Sequence, residues 1–248
     1  MKTAYDSRLE RGGQALISPD ENRRMFDTIS RRYDLLNRII SFGRDRSWRR
    51  RAVDQLMVKP AGSYVDAGCG TCALSVEIAR RLGSADGRVR GVDFSQAMLR
   101  EGIKRVRTMG VAAQIDLIRG DALTLPFDAS TVDGVISGFV LRNISDRGGA
   151  LAEWFRVLRR GGRCVVLELS MPEDLMVRLM YRAITKLLVP VAGALLSRRS
   201  AYVYLLDSIK VFPSAETVLM LFRDAGFVDV QSIPLTFGVV RIYCGVKP

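Results

Sequence analysis

Val65-Asp66-Ala67-Gly68-Cys69-Gly70-Thr71 decides the fold when it is read together with Asp93, the end of the next apolar run. A short apolar strand, Tyr64 to Asp66, opens into a turn of small residues, and a helical segment from Leu74 to Leu82 follows. Glycines in such a turn let the backbone approach a ligand closely, and the helix start adds unpaired N–H groups. An acidic residue about 20–30 positions further on is where α/β nucleotide binders bond a ribose. Two ligand-facing elements at that separation point to a cofactor site.

Outward from this stretch, strands and helices alternate. Apolar runs at Tyr64–Asp66, Val89–Asp93, Ile115–Ile118, Val132–Ser137 and Cys164–Leu169 read as strands. Between most of them lie the helical patterns Leu74–Leu82, Ala97–Met109 and Ala150–Leu158. After a helix at Ala215–Ala225, Val228–Ile233 and Val239–Val246 supply a final pair of strands. The series predicts an α/β fold with a doubly wound, mostly parallel seven-stranded sheet. Ligands bind beyond the carboxyl ends of strands in such sheets, and Asp66, Asp93, Asp121 and Ser137–Gly138 stand at those ends.

Upstream, Ser18-Pro19-Asp20-Glu21 carries the marks of a helix start. Met25, Phe26, Ile29, Tyr33, Leu36 and Ile40 then form one apolar helical face, which Ser41-Phe42-Gly43 ends. A second helix is expected to carry Trp48, Ala52 and Leu56 on one side, with Arg49, Arg50 and Arg51 around the other. The expected organisation is an N-terminal helical cap at 1–60, a cofactor-binding domain at 61–248, and a helical insertion at 172–211. In that insertion Leu175, Met176, Leu179, Met180, Ala183, Ile184, Leu187 and Leu188 make an apolar face. Arg178, Arg182 and Lys186 make a basic row beside it, a pattern suited either to packing on the sheet or to lying in a membrane interface.

Composition narrows the chemistry. The 248 residues include no histidine, which excludes Ser-His-Asp triads, histidine metal sites and imidazole acid–base catalysis. Cys69-Gly70-Thr71-Cys72 reads as a C-x-x-C pair, but Cys164 and Cys244 are solitary, so no second metal-binding pair exists and no metal is expected. The net charge of +12 suits nucleic acid or an anionic membrane face, or is a general basic bias. The N-terminal residues lack the apolar core of a secretory leader, and no apolar run reaches the roughly 18–20 residues that span a bilayer. A cytoplasmic protein, free or bound to the membrane surface, is the expectation.

The loop itself separates cofactor types. A dinucleotide turn reads G-x-G-x-x-G, whereas position 73 here is Ala73. Asp66, directly before the turn, would face a phosphate unfavourably but suits an ammonium or a sulfonium. The D-x-G-x-G loop with its distal Asp93 resembles the S-adenosylmethionine site of Rossmann-like class I methyltransferases. Cys72 departs from it, standing where that loop usually carries a third glycine.

A narrower resemblance rests on further segments. Tyr33-Asp34-Leu35-Leu36-Asn37, Ser41-Phe42-Gly43 and Trp48 resemble the N-terminal signature of the ubiquinone/menaquinone biosynthesis C-methyltransferases. Arg156-Val157-Leu158, Gly161-Gly162-Arg163 and Glu168-Leu169-Ser170 resemble their second signature, and Leu141-Arg142-Asn143 and Phe212-Pro213-Ser214 follow in the family's order. Asp45 stands where the family has a histidine, and Gly138 and Val140 replace its usual Ser and Gly.

The resemblance implies methyl transfer from S-adenosylmethionine to a ring carbon of a polyprenylated demethylquinol, most simply demethylmenaquinol, on the inner face of an anionic membrane. It leaves the naphthoquinol and benzoquinol acceptors both open, and a homodimer as well. It implies Asp66, Gly68, Gly70 and Thr71 as the cofactor-binding residues of the loop, Asp93 on the ribose hydroxyls, and Asp121 with Ala122 at the adenine. Arg142, Asn143 and Tyr33 carry over as the substrate-facing catalytic groups. A structural ion pair for Arg142 and core packing for Tyr33 are the competing expectations. The other functions open to this sequence are methyl transfer to a phospholipid amine or a natural product, RNA binding, and cofactor binding without catalysis.

Overall fold

In a computed structural model, residues 17–83, 86–180 and 199–248 are described. Ser18 starts α1 (Pro19–Ile29) with a capping box, its side chain accepting from the Glu21 N–H while Glu21 reaches back to the Ser18 N–H. The apolar face does not run on to Ile40 in one helix, because a 3-10 turn at Ser30–Arg32 separates α1 from α2 (Tyr33–Ile40). Ser30 is buried there and its hydroxyl bonds the Asp27 carbonyl, a local bond that competes with a regular helix. After the Ser41–Gly43 turn, α3 (Asp45–Leu56) buries Trp48, Ala52, Val53 and Leu56. Arg49 is also buried, which corrects its placement on the solvent side.

The sheet follows as β1 (Ser63–Ala67), α4 (Ala73–Leu82), β2 (Arg88–Asp93), α5 (Gln96–Thr108), β3 (Ile115–Arg119) and β4 (Val132–Gly138). Next come α6 (Arg147–Val157), β5 (Leu158–Leu169), α7 (Arg199–Val211), α8 (Ala215–Asp224), β6 (Val228–Leu235) and β7 (Val240–Val246). The strand order is β3-β2-β1-β4-β5-β7-β6, and β7 runs antiparallel to both neighbours while the other pairs are parallel. β5 begins six residues earlier than the apolar run suggested. Arg159-Arg160-Gly161-Gly162 fills an irregularity opposite Val132–Gly134, with Gly161 at φ +75°.

Strands covered on both faces read as unbroken apolar runs, and the two covers divide the side chains alternately. Tyr64, Ile136, Val165 and Leu167 pack with α3, α4 and α5; Val65, Val135, Val166 and Tyr243 pack with α6 and α8. Successive connections leave in opposite directions from β1 and β4, so their carboxyl ends flank a crevice at the switch point of the sheet. Of the insertion, residues 172–180 and 199–211 are described, helical at 175–180 and in α7, with Leu175, Met176, Leu179 and Met180 exposed. Arg182, Lys186 and the apolar run at 187–196 lie outside the described residues. Among those described, no helix is long and apolar enough to cross a membrane.

Candidate active site

A cavity of about 460 Å³ occupies that crevice, walled by the ends of β1, β2 and β4 and closed over by α1 and α2. Asp66 sits at its base, facing α4. One carboxylate oxygen, Oδ2, accepts from the Ser75 N–H at 2.9 Å and the Ser75 hydroxyl at 2.6 Å; the other, Oδ1, is buried without a partner. Burial pushes the Asp66 carboxyl up to about 7, with Ser75 and Arg49 opposing the shift. Asp93, ending β2, accepts from the Gly70 N–H (2.8 Å) and the Ser95 N–H (2.9 Å), and burial raises it to about 6.

The turn between them needs its glycines for different reasons. Gly68 has φ +75°, and a Cβ there would lie 2.5 Å from Val140 Cγ2. Gly70 has φ +52° and opens onto empty space, as a backbone that approaches a ligand would. Cys72 also adopts a left-handed conformation, φ +63°, which accounts for the glycine usual at this position. Its sulfur fills the space beside Gly102, where an added Cβ would come within 2.4 Å. Cys69 and Cys72 are free thiols with sulfurs 4.0 Å apart, and the Cys69 thiol is pushed up by its bond with Cys72 and by burial. Such an environment disfavours the thiolate that redox or metal chemistry requires.

Every candidate cofactor-binding or catalytic residue except Arg142 lines this cavity: Asp66, Gly68, Gly70, Thr71, Asp93, Asp121, Ala122, Tyr33 and Asn143. Asp121 accepts from the Leu123 N–H, and the Ala122 carbonyl accepts from the Trp154 indole, which ties this corner to α6. The Thr71 hydroxyl turns toward the helical cover, donating to Asp34 and accepting from Arg105, which also pairs with Asp34. Asn143 accepts from the Tyr204 hydroxyl at 2.9 Å and donates to the Phe139 carbonyl.

Arg142 departs from the substrate-facing expectation. Its guanidinium bonds Glu168 Oε1 and the Phe139 carbonyl, each at 2.7 Å, while its backbone N–H bonds Glu168 Oε2. Both side chains are buried, Glu168 at 0 % exposure, so the pair lies behind the cavity wall and pins the turn that carries Asn143. A strand-end carboxylate drew the arginine inward. Sequence reasoning missed Arg49, Phe139, Asn22, Phe94 and Met98, which also line the cavity. Arg49 had a signal: Asp45 stands four residues before it, a pair on one helix face. Nothing in the sequence announced Ser75 or Tyr204.

A doubly wound sheet with one reversed strand, an acid ending β1, a glycine turn and an acid ending β2 define the class: an S-adenosylmethionine-dependent methyltransferase of class I. The residues fit that cofactor, since the unpartnered Asp66 Oδ1 calls for a donor such as an ammonium, and Gly70 leaves room beside it. Solved structures share the fold. The [4+2]-cyclase SpnF matches with a TM-score of 0.69 at 16% identity over 94% of this chain and 97% of its own. A SAM-dependent methyltransferase from Aquifex aeolicus matches with a TM-score of 0.57 at 14% identity over 81% and 89%.

The ubiE/COQ5 methyltransferase family model matches residues 17–247, and the chain belongs to that family. It is 39% identical over 223 residues, 90% of this chain and 94% of the relative, to the ubiquinone/menaquinone biosynthesis C-methyltransferase UbiE of Geotalea daltonii. It is 36% identical over 225 residues, with the same coverage, to the demethylmenaquinone methyltransferase of Bacillus cytotoxicus.

Proposed function

We propose that this chain methylates a ring carbon of a polyprenylated demethylquinol, with demethylmenaquinol as the acceptor, using S-adenosylmethionine. The observation that carries the reading is one cavity joining two kinds of wall. An acidic, glycine-lined end suits a cationic amino-acid-bearing cofactor, and a Tyr33–Asn143 end suits a hydroxylated ring. Kinship with a demethylmenaquinone methyltransferase supports the choice of acceptor.

When bound, the cofactor supplies an electrophilic sulfonium methyl. Asp66 would hold its ammonium, Asp93 its ribose hydroxyls, and Asp121 with Ala122 its adenine edge. The remaining residues manage the acceptor. A quinol attacks through carbon only as its hydroxyl proton leaves, so the site must hold that oxygen while negative charge grows on it. Asn143 keeps an amide N–H free beyond its bond to Phe139, and Tyr33 lines the same wall. Arg142 acts here as a positioning residue, through the turn it pins. With no histidine in the chain, the proton leaves to a carboxylate, a tyrosine or water.

A polyprenyl tail stays in lipid, so the enzyme must work at a bilayer surface as a peripheral protein. Support comes from exposed apolar side chains, Leu175, Met176, Leu179 and Met180 on the insertion, together with Phe42 and Phe237 at turn tips. Arg38, Arg44 and Arg46, all exposed near Phe42, would favour anionic headgroups. The helices of 1–60 serve as the cover of the site in this reading.

Steady-state kinetics of Asn143→Ala and Tyr33→Phe on demethylmenaquinol test the acceptor wall. The expected result is a turnover loss of about tenfold or more with cofactor affinity retained. Unchanged turnover in both variants would remove these side chains from the reaction.

A further inference from the structure

A second buried charge reaches the cavity from α3. The Arg49 side chain is only 10% exposed, yet it lines the cavity together with Asp66 and Phe139. Asp45, one turn earlier, takes one edge of the guanidinium in a short ion pair, and the group lies 5.6 Å from the Phe139 ring centroid. No described residue accepts a hydrogen bond from its remaining N–H groups. A buried arginine carries a large desolvation cost, and Asp45 offsets it while leaving bonding capacity toward the cavity. Asp45 does the same for its own second oxygen by accepting from the buried Ser41 hydroxyl.

Asp66 presents the complementary feature, a buried Oδ1 without a partner. The two groups feel each other electrostatically, but no ion pair joins them. A cation and an anion that face one cavity with unused bonds match a zwitterion: ammonium against the carboxylate, carboxylate against the guanidinium. The α-amino acid end of S-adenosylmethionine has that chemistry.

We propose that Arg49 binds the carboxylate of the cofactor's methionyl group, with Asp66 on the ammonium beside it, and that Asp45 positions the guanidinium. The inference rests on the cofactor reading above. The same guanidinium could instead meet an oxyanion of the acceptor, and the test separates the two sources.

Calorimetric binding of S-adenosylmethionine and of its decarboxylated analogue, without acceptor, reads the carboxylate contact directly. A charge-assisted bond of this kind makes the unaltered protein prefer the carboxylated ligand by about 10–100-fold. Arg49→Gln is expected to remove that preference while leaving affinity for the analogue within about twofold. The double variant Asp45→Asn with Arg49→Gln leaves no unpaired buried charge, so it keeps the fold and shows the same collapse. Equal weakening toward both ligands in the double variant, or an undiminished preference, would overturn the assignment to the carboxylate. Failure of the unaltered protein to bind either ligand would instead overturn the cofactor reading beneath it.

Discussion

Asp66 and Asp93 hold their protons well above the ordinary carboxylate range, near pH 7 and pH 6, because burial disfavours their charges. The proposed contact of Asp66 with the cofactor's ammonium requires an ionised carboxylate, so affinity is expected to fall by about tenfold per unit as pH drops well below 7. Calorimetry between pH 5 and 8 checks this, and Asp66→Asn should bind weakly with a flatter profile. Stability runs the other way. With folded values raised above the unfolded ones, these groups contribute stability that is complete below about pH 4 and lost as pH rises through 6 and 7. The ligand-free protein should therefore lose thermal stability relative to Asp66→Asn between pH 5 and 8. Glycine substitutions separate folding from binding: Gly68→Ala drives a methyl into Val140 and is expected to cost about 1–3 kcal/mol in urea unfolding. Gly70→Ala meets no atom, so its loss should fall mainly on cofactor affinity. Arg142→Ala strands a buried Glu168 and should cost about 3–5 kcal/mol of stability, beyond any effect on turnover.

At the scale of elements, Asp34 on α2 joins the helical cover to the cofactor turn through Thr71 and Arg105. The pair is partly exposed, so its effect is modest: Arg105→Ala should weaken cofactor affinity by about fivefold or less. Hydrogen exchange in residues 33–40 should quicken in that variant, and exchange unchanged there would uncouple the cover from the turn. The strands were legible because burial on both faces writes apolar runs, and the glycine turn because acid, glycine and acid recur at strand ends. The break at Ser30 was not, since a serine bonding back to Asp27 leaves the apolar spacing intact. The sequence pattern places Arg49 on the solvent side, and for Arg142 a structural ion pair stands beside the substrate-facing reading; in both the burial has one cause. Their acidic partners, Asp45 and Glu168, draw an arginine inside, and charge alone reads as surface.

At the scale of the whole molecule, the proposed docking on a bilayer draws on the exposed apolar side chains at 175–180, Phe42 and Phe237 and on the net charge of +12. Sedimentation with vesicles should show binding to anionic but not neutral bilayers, weakening as salt rises. Equal binding to both would remove the electrostatic part of the account. The most direct measurement is methyl transfer from labelled S-adenosylmethionine to reduced demethylmenaquinol in anionic vesicles, beside a reduced benzoquinol precursor. Label in the naphthoquinol ring is the predicted result. Absence of label in either quinol, from protein that binds the cofactor, would contradict quinol methylation.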